Sequence, residues 1–317
     1  MDELKDKIKS SRNIKDKSLN AYLISLRKLH EKINPDKDFS SNLNWLKDKD
    51  KVMEHLMDMK LTTRKNYIAA IIVALSTDKD KYEKELKEYR DVLDGVAKEY
   101  KDGVEEQRKS EKESANWVSL DKLRKVMRKY KSEIMEKGLL KKDELNKKEM
   151  DLLQKWVVAS LYILDDNPPL RNDYTMKVIS KSDYDKLSEK TKNDNNYLVV
   201  KSRNNKFFSL GEYKTDKKYG LKKIDVGSKL NSVLNIWLKY NKSGYLLLNS
   251  KGEPMNANSL TKYLNKVFEP TGKKISSTMI RHIFISEKIG GPTLKEKQEI
   301  AEKMGHSVNT QELYKKQ

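Results

Sequence analysis

The sequence predicts a mainly α-helical protein with a small antiparallel β-sheet, an α+β fold, and three observations support this prediction. Apolar residues recur at helical spacing along most of the 317-residue chain. Short β-rich runs occur only between residues 197 and 226, so the sheet is expected in the second part of the chain. A polar stretch divides the chain, and 317 residues suit two domains of roughly 100–200 residues each.

Residues 1–103 are predicted to form a helical domain of four helices joined by short loops. A stripe of leucines and isoleucines runs along the first helix, which ends before Pro35. The helices are expected over 17–33, over 52–59, from a cap at Thr62 and Thr63 to Leu75, and from Asp78 or Asp80 to Val96.

Residues 104–116 contain almost no apolar side chains, which is typical of a linker or a frayed helix end. Residues 117–317 then form a second domain, in which three strands lie among helices. The strands are expected at 197–200, 207–210 and 223–226, and the helices at 119–135, 147–165, 228–240, 257–268, 277–288, 294–304 and 310–315.

The composition excludes several kinds of chemistry. The chain has no Cys, so disulfides, thiolate metal sites and cysteine nucleophiles are excluded. It has no apolar run near the roughly 18 residues that a membrane span needs. It also lacks a cluster of metal-ligating side chains and a glycine-rich loop that would hold a nucleotide phosphate. We therefore expect a soluble intracellular protein that uses neither a metal nor a nucleotide cofactor.

Basic residues exceed acidic ones by 19, and the excess is uneven. Residues 1–110 carry 25 basic and 22 acidic side chains, whereas residues 111–317 carry 42 and 26. An AT-rich genome explains why 57 of the basic residues are Lys, but it does not explain their excess over acidic residues. The second part of the chain is therefore the stronger candidate for binding a polyanion such as a nucleic acid.

Arginine is rare, with 10 residues, and two of these stand at informative positions. Arg171 follows a Pro-Pro-Leu break, and Arg281 lies in a predicted helix directly before His282. A guanidinium group binds two phosphate oxygens at once, which Lys cannot do. The plainer interpretation is an ordinary surface or ion-paired Arg, with Asp173 as a partner for Arg171.

The order of residues along the chain resembles the signature of the tyrosine recombinases, the phage- and virus-type integrases. That signature is a first Arg, a Lys in a β-hairpin, a His-x-x-Arg motif, a second His or Trp, and a nucleophilic Tyr. The corresponding residues here are Arg171, Lys214, Thr278 to Arg281 with His282, His306 in Gly305-His306-Ser307, and Tyr314. The resemblance implies that residues 117–317 are a catalytic domain and residues 1–103 a helical core-binding domain.

The resemblance also implies a role for each residue. Tyr314 would attack a DNA phosphodiester and form a 3′-phosphotyrosyl bond. Arg171, Arg281 and His306 would donate hydrogen bonds to the phosphate oxygens, and Lys214 would protonate the leaving 5′-hydroxyl. No metal or nucleotide would take part.

One position departs from the signature. Thr278 stands where the family has His, and a hydroxyl group binds phosphate but does not act as a base near neutral pH. His282 is not an evident replacement, because adjacent helix residues point about 100° apart. In the family a His at this position is more often structural. The general base is therefore left open.

Other basic residues are expected to contact DNA. Arg64 and Lys65 lie at the start of the third predicted helix, whose positive end favours phosphate. Lys217 and Lys218 follow Lys214 and are alternatives to it. The resemblance implies double-stranded DNA as the partner and a tetramer on two duplexes. It places a DNA-associated protein in the cytoplasm or nucleoid, or in a nucleus or viral factory.

Two other functions share these residues. A type IB topoisomerase has the same Arg, Lys, Arg, His and Tyr set and nicks DNA without exchanging partners. The position of Tyr314 close to the C-terminus and the helical first domain favour a recombinase. The second alternative is a DNA-binding protein with a degenerate, inactive site, which Thr278 alone supports.

Overall fold

The structure, a computed structural model, describes residues 2–105, 109–164, 167–288 and 294–314. The chain divides into two compact units, Met1–Glu106 and Gln107–Gln317, and each has its own hydrophobic core. Among the described helices, none is both long enough and apolar enough to span a bilayer. The prediction of a mainly helical chain with one small sheet is confirmed.

The first unit is a helical assembly. Its helices are α1 (Asp2–Ser11), α2 (Asp16–Ile33), α3 (Lys49–Met57), α4 (Leu61–Leu75) and α5 (Glu83–Glu105), with a 3₁₀ turn at Asn44–Leu46. Helix α4 is buried on more than one face, through residues such as Ile68, Ile71 and Ala74. It therefore packs between α2 and α5 as the centre of this unit.

Three details of this unit differ from the sequence prediction. Helix α1 was not predicted, because Leu4 and Ile8 are its only buried residues and give too short an apolar pattern. The predicted cap at Thr62 and Thr63 is wrong, since α4 begins at Leu61 and Lys60 is its N-cap, without a side-chain hydrogen bond. Helix α5 begins later than either predicted Asp, at Glu83.

The second unit surrounds a buried helix. Almost every residue of α8 from Leu152 to Ile163 is buried, and α7, α12 and α13 pack on it. The helices are α6 (Glu111–Asn116), α7 (Leu120–Glu136), α8 (Lys147–Ile163), α9 (Lys181–Asp185), α10 (Glu189–Asn193), α11 (Asp216–Tyr219), α12 (Ser228–Tyr240), α13 (Ala257–Val267), α14 (Ser277–Lys288), α15 (Leu294–Met304) and α16 (Val308–Tyr314), with 3₁₀ turns at Leu139–Lys141 and Glu269–Thr271.

The sheet of this unit has the order β1-β2-β3-β4. Its strands are β1 (Lys177–Ser180), β2 (Asn196–Ser202), β3 (Asn205–Leu210) and β4 (Lys222–Asp225). Strands β2, β3 and β4 are the three predicted strands and pair antiparallel. Strand β1 was not predicted, because none of its four residues is buried, and it pairs parallel to β2. The sheet is therefore mixed rather than wholly antiparallel.

The predicted linker over 104–116 is partly helical. Helix α5 reaches Glu105 and α6 occupies 111–116, while residues 106–108 lie outside the described residues. Helix α6 is held by polar contacts instead of apolar ones: Lys273 Nζ donates to the Ala115 carbonyl at 2.7 Å, and the Lys274 backbone N–H donates to Asn116 Oδ1 at 2.8 Å. Low apolar content therefore does not mark this stretch as a free linker.

Candidate active site

The connection from α8 to β1 carries Arg171 and is fixed on both sides. The Tyr162 hydroxyl donates to the Arg171 carbonyl at 2.7 Å. The Asn172 side chain donates to the Ala257 carbonyl at 3.1 Å and to Thr261 Oγ1 at 2.9 Å, which ties the loop to α13. The backbone of Arg171 is thus held while its side chain stays half-buried.

The side chain of Arg281 extends from α14 to the loop that carries Arg171. Its side chain is 1% exposed, and Nη1 donates to the Pro169 carbonyl at 2.9 Å. Within the described residues, its Nη2 has no hydrogen-bond partner. Burial and the charge of Arg171 lower the pKa of Arg281 to about 10. Burial of a cation with an unused hydrogen-bond donor costs folding free energy unless a ligand accepts from that donor.

Asp173 is not a direct ion-pair partner of Arg171. Among the described residues, no ion pair within 4.0 Å joins the two side chains. The charges of Arg171 and Arg281 act on the Asp173 carboxyl, but burial outweighs them and raises its pKa above the ordinary value. The structure therefore does not show the ion pair between Arg171 and Asp173 that the plainer interpretation offered.

Tyr314 ends α16 between the two arginines. Arg171 Nη2 donates to its hydroxyl oxygen at 3.3 Å, and the Arg281 guanidinium carbon lies 5.4 Å from the centre of its ring. Burial opposes ionisation of the hydroxyl, but the charges of Arg281 and Arg171 outweigh it and lower the pKa of Tyr314. A phenol with a lowered pKa is an activated nucleophile.

His306 follows Gly305, whose positive φ of 73° ends α15. The imidazole is 5% exposed, and its ring centre lies 5.2 Å from that of Tyr314. Nδ1 lies 3.1 Å from the Ser307 carbonyl. Since a carbonyl only accepts, Nδ1 carries the proton and the neutral ring has its lone pair on Nε2.

The electrostatics keep His306 neutral. Burial, followed by the charge of Arg281, lowers its pKa to about 4. Nε2 has no hydrogen-bond partner within the described residues. The predicted role of Nε2 as a hydrogen-bond donor to phosphate therefore requires a bound anion that raises the pKa of this ring.

The segment around Lys214 lies against the turn that holds His306. Thr215 Oγ1 donates to the Gly305 carbonyl at 2.7 Å, and the Tyr213 hydroxyl donates to the Gly220 carbonyl at 2.8 Å. Lys214 is exposed between these two anchored residues, in the connection from β3 to β4. Lys217 and Lys218 are exposed on the following helix, α11.

Lys222 was missed by sequence reasoning. Its Nζ donates to the Glu302 carbonyl at the end of α15, and its charge contributes to the low pKa of His306. Burial lowers the pKa of Lys222 itself. No sequence signal distinguishes it, because it is one of 57 lysines in the chain.

Thr278 and His282 occupy different environments on α14. Thr278 is exposed in the first turn, and no hydrogen bond of its side chain occurs among the described residues. His282 is half-buried, with Nδ1 2.7 Å from Glu113 Oε1 and its ring centre 4.9 Å from that of Tyr314. Of these two residues, His282 has a ring contact with Tyr314.

Arg64 and Lys65 belong to the first unit. Arg64 Nε donates to the Leu56 carbonyl at 3.1 Å, and Nη2 donates to the Met57 and Met59 carbonyls. These carbonyls lie at and just after the end of α3 (Lys49–Met57), so Arg64 caps that helix, and its contact with phosphate stays a prediction. Lys65 Nζ lies 5.4 Å from the centre of the Tyr100 ring.

The residues brought together in the second unit can bind and attack a phosphate group. Two guanidinium groups and one imidazole surround a phenol of lowered pKa, and two of their nitrogens have no partner within the described residues. In the described part of the chain, no group of three or more His, Cys, Asp or Glu residues has the arrangement of a metal site. The geometry suits phosphoryl transfer to Tyr314.

Solved structures share this fold. The XerH site-specific recombinase bound to its palindromic difH substrate, in a post-cleavage complex, matches with a TM-score of 0.57 and 16% identity, over 93% of this chain and 75% of that chain. The pre-cleavage complex of XerH with difH matches with a TM-score of 0.52 and 16% identity, over 93% and 74%. No protein-family model and no curated protein matches the sequence. The chain therefore has the tyrosine recombinase fold, as the motifs predicted.

Proposed function

We propose that this chain is a site-specific DNA recombinase that cleaves and rejoins DNA through a 3′-phosphotyrosyl intermediate. The observation that carries the proposal is the hydrogen bond from Arg171 to the Tyr314 hydroxyl, beside a buried Arg281 whose Nη2 is unused within the described residues. A scissile phosphate between these groups would complete the hydrogen bonds of Arg281 and lie next to the nucleophile.

The reaction divides between the residues as follows. The Tyr314 hydroxyl releases its proton to solvent, its oxygen attacks phosphorus, and the bond from phosphorus to the 5′-oxygen breaks. Arg171 and Arg281 stabilise the added charge on the non-bridging oxygens, and Lys214 gives a proton to the leaving 5′-oxygen. Religation reverses these steps with a new 5′-hydroxyl, so no external energy source is consumed.

The missing His at position 278 matters less than the sequence suggests. The two arginines lower the pKa of Tyr314, so less of the activation depends on a base. His306 enters the reaction neutral, and its Nε2 gains a proton as the phosphate charge raises the pKa of the ring. Protonated His306 then donates to a phosphate oxygen.

The partner in this proposal is double-stranded DNA. The 42 basic and 26 acidic residues of 111–317 give this part of the chain the positive charge that duplex binding needs. Lys65, Lys214, Lys217 and Lys218 are the proposed phosphate contacts, and all but Lys65 are exposed. Strand exchange between two duplexes needs four cleavage events, so we propose a tetramer on DNA.

A covalent trap tests the function. The full chain is mixed with a pool of nicked duplexes of random sequence, and denaturant-resistant protein–DNA adducts are isolated, with the modified peptide mapped by mass spectrometry. We expect an adduct on Tyr314 that is absent from Tyr314→Phe. Tight DNA binding without an adduct would contradict the proposal and favour a degenerate DNA-binding protein. Relaxation of supercoiled DNA on any sequence, without recombinant product, would instead indicate a topoisomerase.

A further inference from the structure

Helix α6 reaches the ring of Tyr314 through two side chains. Glu113 Oε1 lies 2.7 Å from His282 Nδ1, and the His282 ring centre lies 4.9 Å from that of Tyr314, tilted by 51°. Glu113 and His282 are 169 residues apart in sequence. Both side chains of the pair are largely buried, at 18% and 12% exposed. The contact is therefore shielded from water and stronger than a surface ion pair.

The carboxylate of Glu113 is held at both oxygens. Oε2 accepts from the Ser110 backbone N–H at 2.9 Å and from the Ser110 hydroxyl at 2.8 Å, which forms the capping box of α6. Oε1 faces His282. A carboxylate accepts, so His282 donates from Nδ1 and its tautomer and ring plane are fixed.

The ring of Tyr314 has two aromatic neighbours. Tyr314 belongs to the short helix α16, Val308–Tyr314. His282 lies against it, and His306 meets it edge-on at 72°. A misplacement of about 1 Å in a reacting group costs up to about 100-fold in rate.

We propose that Glu113 is a positioning residue for the nucleophile: it fixes His282, and His282 fixes the Tyr314 ring beside Arg171 and Arg281. This inference rests on the proposed function in that it takes Tyr314 as the nucleophile. It assigns a functional contact to the stretch that composition alone presents as a linker.

Three variants separate positioning from helix capping. Glu113→Ala removes both contacts. Glu113→Gln keeps an amide oxygen that accepts from His282 Nδ1 but turns an NH2 group, which cannot accept, toward the Ser110 donors. Ser110→Ala removes the capping hydroxyl but leaves Oε1 on His282. Each is made in the full chain with 3-fluorotyrosine placed at position 314. The readouts are the pH midpoint of the fluorine NMR signal, which needs no DNA, and the rate of adduct formation on the nicked duplex pool.

We expect Glu113→Ala to move the fluorine midpoint upward, toward that of an ordinary Tyr, because the ring leaves the two guanidinium groups. Adduct formation should slow about tenfold. Glu113→Gln and Ser110→Ala should stay within about twofold of the unsubstituted chain. An unchanged midpoint in Glu113→Ala, or an equal loss in Ser110→Ala, would overturn the proposal. Absence of an adduct from the unsubstituted chain would count against the proposed function alone, since the fluorine titration still decides the positioning role.

Discussion

Two basic side chains of the second unit are buried to nearly the same degree but are satisfied very differently. Lys206 on β3 is 2% exposed and Arg281 on α14 is 1% exposed. Lys206 Nζ donates three hydrogen bonds, to a backbone carbonyl at 2.7 Å and to two Asn side chains at 2.8 and 2.5 Å. Among the described residues, Arg281 donates one, to the Pro169 carbonyl.

The difference separates a structural cation from a cation that we propose binds an anion. Lys206 joins the β2–β3 hairpin to Asn231 and Asn235 of α12, and three acceptors offset the cost of burying its charge. Arg281 has been taken out of water without that compensation. In the proposed function, an anion that accepts from Arg281 Nη2 would supply the missing hydrogen bond. We therefore expect removal of the Arg281 charge to slow the proposed reaction without loss of stability, and removal of the Lys206 charge to lower the stability.

The largest expected effect is on reaction rate. Arg281→Met should slow adduct formation on the nicked duplex pool by at least about 10³-fold, because a main contact to the transition-state charge is lost. Its free energy of unfolding should not fall, since the variant removes a poorly compensated buried charge. Quenched-flow or gel kinetics and urea unfolding measure the two quantities. A destabilised Arg281→Met protein would contradict the comparison.

Lys206→Met should show the reverse pattern. One buried acceptor, on Asn231, and two partly buried acceptors lose their donor, so the free energy of unfolding of the second unit should fall by about 3 kcal/mol. Urea denaturation followed by Trp fluorescence measures this change. Lys201→Met is the matched control, because Lys201 is an exposed lysine of the neighbouring strand. An equal loss in both variants would show that the buried hydrogen bonds of Lys206 are not the cause.

The pH dependence of stability should come in part from His306. Its pKa is about 4 in the folded chain, below the ordinary 6.5, because of burial and the charge of Arg281. The unfolded chain therefore binds the proton first, and stability is lost as pH falls from about 6.5 to about 4, by about 2–3 kcal/mol. His306→Gln should lack this part of the pH profile. Thermal unfolding of both proteins across that pH range checks the expectation.

The smallest effects are expected in the first unit. There Arg64 donates to backbone carbonyls, whereas its neighbour Lys65 is a proposed contact to DNA. Arg64→Ala should lower the free energy of unfolding by about 1 kcal/mol, because the carbonyls at the end of α3 lose a capping donor. It should leave the salt dependence of DNA binding unchanged. Lys65→Ala should instead reduce the log–log salt slope by about 0.9. Fluorescence anisotropy on random duplex DNA at several salt concentrations measures both slopes.

The sequence predicts those parts of the fold in which apolar spacing decides the structure. Helices α12, α14 and α15 have the predicted bounds, Ser228–Tyr240, Ser277–Lys288 and Leu294–Met304. Helix α6 could not be found in this way, because none of its residues is buried and hydrogen bonds hold it. Strand β1 was missed for a similar reason, since its burial is incomplete and its partner is 20 residues away.

The residues of the candidate site likewise fall into a group that the sequence predicts and a group that it does not. The order along the chain of the rare Arg and His residues and of one Tyr predicted four site residues. These are Arg171, Arg281, His306 and Tyr314, and the structure brings them together. Glu113 and Lys222 belong to common residue types, and their importance comes from partners 169 and 80 positions away. Such long-range pairs leave no local pattern in the sequence.

In the proposed reaction, the hydrogen bond from Arg171 to the Tyr314 hydroxyl would have a consequence for turnover. One of the five N–H donors of this guanidinium group is engaged by the nucleophile, so a phosphate oxygen would compete with Tyr314 for that donor. Exchange of this one partner would leave the phenol oxygen uncommitted only when a phosphodiester is in place. After religation the competition would work in the other direction, because Tyr314 would reclaim the donor and help to release the product.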